Sequence, residues 1–296
     1  MSRRRAPGHA PSIVNPALQS RLFLVLAAVL WSTAGAALKL STLNAWQLAA
    51  GRSLVAAVAL WILLPAARRR LTRPMALVSV AYAATVVLFV LANKATTSAN
   101  AIFLQDTAPL WVLLLGSFVL GEKATRGELA AIPLFLVGLG LFFLDQLSPG
   151  QQLGNLIALA SGVAFAFNIM GLRKLVEDRQ GVLVWGNLLA FVIALPFCVG
   201  GPTPTPTDVG LVLFLGVFQL ALGYAAFAKG LTHTPAVEAS LLVLLEPVLN
   251  PIWAWLFAGE RPGPWALTGG AIILVATAWR TLAATRRPAL AASPSG

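Results

Sequence analysis

The sequence predicts an all-α integral membrane protein, built from ten transmembrane helices in two inverted repeats of five (5+5). Three observations lead to this prediction. Hydrophobic residues make up 58% of the chain and charged residues 10%, against about 25% charged residues in an ordinary soluble domain. Apolar stretches long enough to cross a bilayer recur along the chain. The second half also repeats motifs of the first half at a constant offset. A chain of this composition needs lipid as its solvent.

Ten apolar stretches can be placed along the chain, and each approaches the roughly 20 residues that a transmembrane helix needs. In lipid they must be helices, because open strands would leave backbone groups unpaired. A polar break, Asp145–Gln152, separates the fifth stretch from the sixth. The ends, residues 1–20 and 285–296, are rich in Pro, Ala, Arg and Ser and are predicted to be disordered tails. The helices are expected near residues 22–40, 45–65, 75–92, 98–120, 127–144, 153–173, 182–200, 208–230, 236–258 and 263–283.

The net charge of +11 could indicate nucleic-acid binding, but its distribution indicates membrane topology instead. Lys and Arg lie in short clusters between the apolar stretches and form no continuous basic face. With a cytoplasmic N-terminus, the outer side receives only Lys39, Lys94 and Arg261, and nearly all other basic residues face the cytoplasm. This bias predicts a multi-pass protein of the bacterial inner membrane with both termini cytoplasmic. No nucleic-acid partner is expected.

The two halves share motifs at an offset of 138 residues. Pro109 aligns with Pro247, and Gly121-Glu122 aligns with Gly259-Glu260. In each Gly-Glu pair the glycine is predicted to end a helix as a left-handed C-cap, and the glutamate to lie near the start of the next helix, where its charge is favoured. Because five is an odd number, the second repeat enters the membrane from the opposite side, which makes the repeats inverted. Inverted repeats can expose a central site to each side in turn, so the sequence predicts a small-molecule transporter. The repeats are expected to span residues 21–145 and 151–284.

Further short motifs occur along the two halves. They are Gly51-Arg52, Thr96–Ala101 leading to Pro109, Thr234–Ala239 leading to Glu246-Pro247, and Gly269–Leu274. Together these motifs resemble the EamA branch of the drug/metabolite transporter superfamily, over about residues 20–283. The resemblance implies a ten-helix bacterial protein that exports amino acids or related metabolites. Ala108 stands where Glu246 aligns, so the two halves should contribute unequally to the site.

Three charged residues are predicted to lie inside the hydrocarbon core, where a charge is costly and needs a reason. Arg52, Asp106 and Glu246 reach this depth by the rise of about 1.5 Å per residue along a helix. In one hypothesis Arg52 binds a substrate carboxylate, while one of the acids binds an ammonium group. In a second hypothesis an acid carries a proton against the substrate. A third, purely structural interpretation joins Arg52 and Asp106 in an ion pair.

Uncharged residues at similar depth complete the predicted substrate site, which also includes Trp31, Gln105, Gln219, Tyr224 and Asn250. Trp31 and Tyr224, together with the aromatic ring of Phe165, could stack on a substrate or simply pack in the core. Prolines are expected to kink the helices that carry the two acids, because each removes a backbone N–H. Simple bending for packing is the alternative interpretation. The predicted kink residues are Pro109, Pro247 and Pro251.

Several other classes of protein fit the sequence poorly. With one cysteine, Cys198, and two distant histidines, no intramolecular disulfide and no metal site are expected, and no cofactor is predicted. No Gly-rich phosphate loop is present, so ATP is not the direct energy source. An integral-membrane enzyme would need clustered acids or histidines, which the sequence lacks, so no enzyme is expected. A channel or receptor, another solute such as a sugar, nucleotide or drug-like cation, proton coupling, and a monomeric or homodimeric state stay open.

Overall fold

The computed structural model describes residues 15–122, 124–144, 152–258 and 264–285. Over these residues all regular secondary structure is helical, and there is no strand. Residues 1–14 and 286–296 of the predicted tails, most of the polar break and the Gly259-Glu260 motif lie outside the described residues. Within the described chain, seven segments are long and apolar enough to cross a membrane, so the protein is a multi-pass membrane protein. They are Pro16–Leu40, Ala45–Leu63, Arg73–Ala95, Asn100–Val119, Gln152–Lys174, Arg179–Cys198 and Pro206–Gly230.

The described part of the first half forms seven helices. Asparagine or threonine side chains accept hydrogen bonds from backbone N–H groups at the start of α1, α3, α4 and α5, as good N-caps do. The first helix begins at Pro16, so residues 16–20 are helical and their assignment to a disordered tail is wrong. The helices are α1 (Pro16–Trp31), α2 (Ala34–Leu40), α3 (Ala45–Leu63), α4 (Arg73–Ala95), α5 (Ser98–Gln105), α6 (Ala108–Val119) and α7 (Arg126–Leu144).

The described part of the second half also forms seven helices. A π-helical segment, Leu215–Leu222, joins α10 to α11 within one continuous rod. Asp208 caps α10 in a reciprocal capping box with Thr205 and also accepts hydrogen bonds from Ser41 and Thr42, which fastens the two halves together. The helices are α8 (Gln152–Lys174), α9 (Arg179–Ala194), α10 (Pro206–Phe214), α11 (Gly223–Gly230), α12 (Ala236–Leu242), α13 (Leu245–Ala258) and α14 (Pro264–Thr285).

Three predicted helices are broken in two, at α1–α2, α5–α6 and α12–α13. At the first break the hydroxyls of Ser32 and Thr33 donate to backbone carbonyls three residues earlier, which competes with the regular helical pattern. Pro109 and Pro247 follow the other two breaks and lie in the first turns of α6 and α13. A proline is tolerated there because the first N–H groups of a helix have no intrahelical partner. The prediction that these two prolines kink continuous helices is therefore wrong, whereas Pro251 does lie within α13.

The packing of the helices repeats between the halves. Helix α3 packs on α9 and α7 packs on α14, and each of these pairs joins equivalent helices of the two repeats. Helix α4 packs on α8, just as α11 packs on α1. The pair α5–α6 packs on α8, just as α12–α13 packs on α1. This pattern is what an approximate two-fold relation between the halves produces, and it places all three breaks in the middle of the bundle.

The Gly-Glu motif of the first half differs in part from its prediction. Gly121 has φ +69°, the left-handed conformation of a helix C-cap, at the end of α6. Glu122 was expected to favour the start of the next helix, but it contacts the second half instead. Its carboxylate accepts from Arg173 Nε at 2.8 Å and from the backbone N–H of Ala236, the first residue of α12, at 3.1 Å. Glu122 therefore stabilises the N-terminus of a helix in the other repeat.

Candidate substrate site

A cavity lies where four long helical segments meet, close to the three breaks and the π-helical segment described above. Trp31 ends α1, Gln105 ends α5, Glu246 lies in the first turn of α13, and Gln219 lies in the π-helical segment; all four line the cavity. Irregular backbone inside a membrane is tolerated where it is buried in protein or lines a cavity, and π-helical turns are frequent at functional sites. The remaining lining residues are Arg52, Thr85, Val86, Phe89, Phe165, Leu220 and Tyr224.

Arg52 is the buried cation of this site, with 1% of its surface exposed. Its Nη1 donates to Gln219 Oε1 at 3.2 Å and its Nη2 to the Val86 carbonyl at 2.7 Å. Its Nε has no hydrogen-bond partner among the described residues. Arg52 forms no ion pair with Asp106, so the structural interpretation of these two residues as a salt bridge is wrong. A buried guanidinium held only by neutral acceptors suits an anionic ligand that supplies the missing charge.

The site also contains two acids, whose charge is opposite to that of Arg52. Glu246 and Asp106 are both buried, and within the described chain neither forms an ion pair. Asp106 follows the last residue of α5, and its Oδ2 has no hydrogen-bond partner in the described chain. The two carboxyl groups are close enough for their charges to interact. Glu246 faces the cavity directly and Asp106 lies behind the lining, so together they favour a cation in the cavity.

An aromatic wall surrounds the space between these charges. The ring of Trp31 lies 4.7 Å from that of Tyr224, 5.6 Å from Phe165 and 5.2 Å from Phe227, measured between centroids. These distances are typical of stacked and edge-to-face aromatic pairs. The indole N–H of Trp31 is buried without a partner among the described residues. The wall therefore offers apolar surface and one donor that a bound molecule can satisfy.

The cavity contains little free space. About 20 Å³ of it is open to the centre of a water molecule, and a single water needs about 10–15 Å³ by the same measure. The space therefore suits a water-sized molecule, and an amino acid would require the surrounding helices to move apart. All of the lining residues are buried, so the cavity lies in the interior of the protein between the two halves.

The structure brings six of the eight predicted substrate-binding residues to this one cavity: Trp31, Arg52, Gln105, Gln219, Tyr224 and Glu246. Asp106 lies next to the cavity but does not line it. Asn250 was expected on the same face as Glu246, one turn further along α13. It lies instead against Gly35, since α13 starts at the cavity and then runs away from it alongside α2. Its placement at the site is therefore wrong.

Four lining residues were not predicted: Thr85, Val86, Phe89 and Leu220. Three of them lie on α4, a regular helix with no proline and no charge in its middle. Val86 contributes its backbone carbonyl, which any residue could provide, so the residue type at this position does not reveal its role in the site. The sequence could reveal only the donor of this hydrogen bond, Arg52, because a buried cation must find acceptors nearby.

Comparison with known proteins places this architecture in a family. The profile of the EamA-like transporter family matches residues 19–144 and 152–282. An uncharacterized transporter of Archaeoglobus fulgidus is 32% identical over 66% of this chain and 72% of its own length. The uncharacterized transporter YwfM of Bacillus subtilis is 28% identical over 86% of this chain and 90% of its own.

Two more distant relatives have substrates in their names. A probable terminal-alkyne amino-acid exporter of Streptantibioticus cattleyicolor is 24% identical over 56% of this chain and 58% of its own. A biotin transporter of Escherichia coli is 26% identical over 58% of this chain and 60% of its own. A crystal structure with 19% identity matches the fold with a TM-score of 0.75 and covers 90% of this chain and 99% of its own. With both of its halves matched by the family profile, the chain belongs to the EamA-like transporter family.

Proposed function

We propose that the protein is a secondary active transporter that exports small zwitterionic metabolites, amino acids above all, across the bacterial inner membrane by alternating access. One observation carries this proposal. A cavity at the meeting point of four irregular rods holds a cation, Arg52, with no counter-ion among the described residues and an acid, Glu246, in the same situation. Arg52 would bind the substrate carboxylate, Glu246 its ammonium group, and the aromatic wall its apolar side chain.

The proposed topology has ten membrane crossings. Three further rods, formed by α7, by α12–α13 and by α14, would cross the membrane in addition to the seven long apolar segments. An even number puts both termini on the same side, and the distribution of Lys and Arg makes that side the cytoplasm. The repeated packing of equivalent helices supports two inverted repeats that rock around the cavity.

Contacts at the two ends of the bundle fit a closed state. Towards the proposed cytoplasmic side, Arg21 Nε on α1 donates to Glu238 Oε1 on α12 at 2.7 Å. Towards the outer side, Ser41 Oγ donates to Asp208 Oδ1 at 2.6 Å and Thr42 Oγ1 to Asp208 Oδ2 at 2.7 Å, which again joins the first half to the second. Opening on one side would break one set of contacts while the other set stays closed, which is the requirement of alternating access.

A carboxylic acid without an amino group is a second candidate substrate. One relative carries the name of a biotin transporter and another that of an amino-acid exporter, and both of these ligands contain a carboxylate. Arg52 suits either ligand, whereas Glu246 has a direct role only with a cationic amine. In the second case Glu246 would instead exchange a proton with each transport cycle.

Counterflow in proteoliposomes tests the proposal. The vesicles are loaded with unlabelled solute, and entry of the labelled solute is followed for three panels: amino acids, monocarboxylates without an amine, and amines without a carboxylate. We expect counterflow with some amino acids and none with the other two panels. Arg52→Gln should abolish it, while Arg73→Gln, which removes an exposed charge at the start of α4, should leave it intact.

The other panels have equally definite meanings. Counterflow with monocarboxylates alone would replace the zwitterion by an acid as the substrate. Counterflow with amines alone would overturn the role of Arg52. A steady ion current across the membrane would contradict alternating access and indicate a channel.

A further inference from the structure

A second pocket, of about 140 Å³, lies at one end of the bundle. The turn after α3 contributes Leu64 and Ala66, the turn before α9 and its first residue contribute Glu177 and Arg179, and the end of α11 and the turn after it contribute Lys229 and Thr232. The pocket therefore lies where the first half meets the second half. In the proposed topology this end faces the cytoplasm, because Arg68, Arg69 and Arg70 lie in the connection between α3 and α4. It is separate from the central cavity and shares no lining residue with it.

Arg179 is the residue in this pocket that points to a ligand. Only 5% of its surface is exposed. Its Nη1 is fixed by the Ala228 carbonyl and the Thr232 hydroxyl. Its Nε and Nη2 are buried and have no hydrogen-bond partner among the described residues. These two atoms lie on one edge of the guanidinium and form the fork that binds two oxygens of a carboxylate or phosphate. The guanidinium is therefore held in place by Nη1, while its other edge makes no hydrogen bond to the described residues.

The charges that face the pocket favour an anion. Lys229 lines it together with Arg179, and Arg173 lies close to Arg179, since both donate hydrogen bonds to Thr232. Glu177 is the acid among the lining residues, and it forms no ion pair with either cation. The carboxylates of Glu122 and Asp178 are engaged by Arg173 and by Arg69, respectively. Among the described lining residues, two cations therefore stand against one acid, which leaves a net positive charge beside the unpaired edge of Arg179.

The surroundings indicate which anion fits. The last turn of α3, just before Leu64, carries Trp61, Ile62 and Leu63, which are 47%, 64% and 54% exposed. Val176, which also lines the pocket, is 55% exposed. An apolar surface of this kind beside a basic pocket at the membrane–water interface suits a molecule with an anionic head and a hydrocarbon tail.

We propose that this pocket binds the phosphate of an anionic phospholipid of the cytoplasmic leaflet, with the Nε and Nη2 of Arg179 as the fork and the exposed end of α3 as the support for an acyl chain. Lys229 adds charge without directed bonds. Because the lining comes from both halves, the bound lipid stabilises the arrangement of the halves in which the pocket is formed. This site depends on the topology given above but not on the identity of the transported solute.

The test compares the melting temperature of the purified full chain in detergent with added phosphatidylglycerol, phosphatidylcholine or inorganic phosphate. We expect phosphatidylglycerol to raise the melting temperature saturably, since a ligand that binds only the folded state stabilises it. Phosphatidylcholine and inorganic phosphate should give no such rise. Arg179→Lys, which keeps the charge but loses the fork, should weaken the apparent affinity by roughly tenfold to a hundredfold.

Two variants separate the site from general attraction to an acidic lipid. Arg70→Gln removes an exposed cation nearby and should leave the phosphatidylglycerol effect unchanged. Glu177→Gln removes the acid from the pocket and should increase the affinity, which tests the site even if Arg179 variants fail to fold. Equal losses in Arg70→Gln and Arg179→Lys, or no change in Glu177→Gln, would overturn the pocket. A rise produced equally by inorganic phosphate would replace the lipid by a soluble anion.

Discussion

The broken pairs α5–α6 and α12–α13 occupy equivalent places in the two halves but present different chemistry. The first break lies between Gln105 and Ala108, and the second lies between Leu242 and Leu245. The offset of 138 residues that relates the halves aligns Ala108 with Glu246. The backbone feature is thus present in both repeats, while the carboxyl group that faces the cavity comes from the second.

The two breaks also differ in how firmly they are held. Gln105 donates from its Nε2 to Ser161 Oγ on α8 at 2.6 Å, and α8 approaches this break closely at Gly162. The side chain of Glu246 makes no hydrogen bond or ion pair within the described chain. The same backbone feature therefore carries a side chain that is held in place, Gln105, in the first half, and a carboxyl group without a protein partner in the described chain, Glu246, in the second half. We expect substitutions at the two breaks to affect different properties.

The largest effect is expected at the second break. Glu246→Gln keeps the shape of the side chain but removes its charge, so a bound ammonium loses its partner and the counterflow rate should fall by at least about a hundredfold. Gln105→Leu removes an amide whose bond is to Ser161 and should cost about tenfold. Size-exclusion chromatography and melting temperature check that both variants fold. A larger loss in Gln105→Leu than in Glu246→Gln would reverse the assigned roles.

The next effect is on stability at the first break. A Cβ on Gly162 would lie 2.8 Å from the Leu104 carbonyl oxygen and 2.9 Å from that of Gln105. Gly162→Ala must therefore push α8 away from the break, at a cost of about 1–3 kcal/mol, and lower the melting temperature. Gly210→Ala is the matched control, since nothing lies within 4 Å of its Cβ position. An unchanged melting temperature in Gly162→Ala would show that the break is not fixed by α8.

A smaller effect should distinguish the two prolines. At the second break the Val243 carbonyl already accepts from the Glu246 N–H at 2.9 Å, so Pro247→Ala adds an N–H where the acceptor is occupied. At the first break, Pro109→Ala provides an N–H that can bond to the Gln105 carbonyl and continue the helix across the break. We expect Pro109→Ala to reduce counterflow a few-fold and Pro247→Ala to reduce it less. Equal reductions would mean that proline determines neither break.

The smallest effect concerns the link from the first half to the start of α12. Glu122→Gln removes the charge that joins Arg173 to the Ala236 N–H, in a partly exposed place. Such pairs contribute about 0–1 kcal/mol, so the melting temperature should fall only slightly. Asp178→Asn breaks the more exposed pair with Arg69 and should have no measurable effect. A fall of many degrees in Glu122→Gln would assign this link a larger role than its exposure suggests.

Much of the site could be predicted because the bilayer makes polar residues conspicuous. Arg52, Gln105, Gln219 and Glu246 stand out in apolar stretches, and depth along the helices placed them at one level. The error at Asn250 had a simple cause: helical spacing describes a straight rod, and α13 tilts away from the cavity after its first turn.

The breaks themselves were beyond prediction from sequence. Proline signalled a disturbance near two of them, but not that the chain leaves the helix before each proline. The break after Trp31 and the π-helical segment around Gln219 have no proline at all. The difference between a kink, a break and a π turn depends on which neighbouring groups satisfy the freed backbone, and those neighbours are distant in the chain.

The sequence by itself determined that the protein is embedded in lipid, that its secondary structure is helical and that its two halves repeat. It also identified most of the polar residues of the cavity. These conclusions follow from local composition and from the cost of polar groups in lipid. Only the tertiary structure decided that Arg52 bonds to Gln219 and the Val86 carbonyl instead of Asp106, and that Glu246 forms no ion pair with any described residue. A buried charge takes whichever acceptor the packing brings within about 3 Å. That choice is made between helices and cannot be found along one of them.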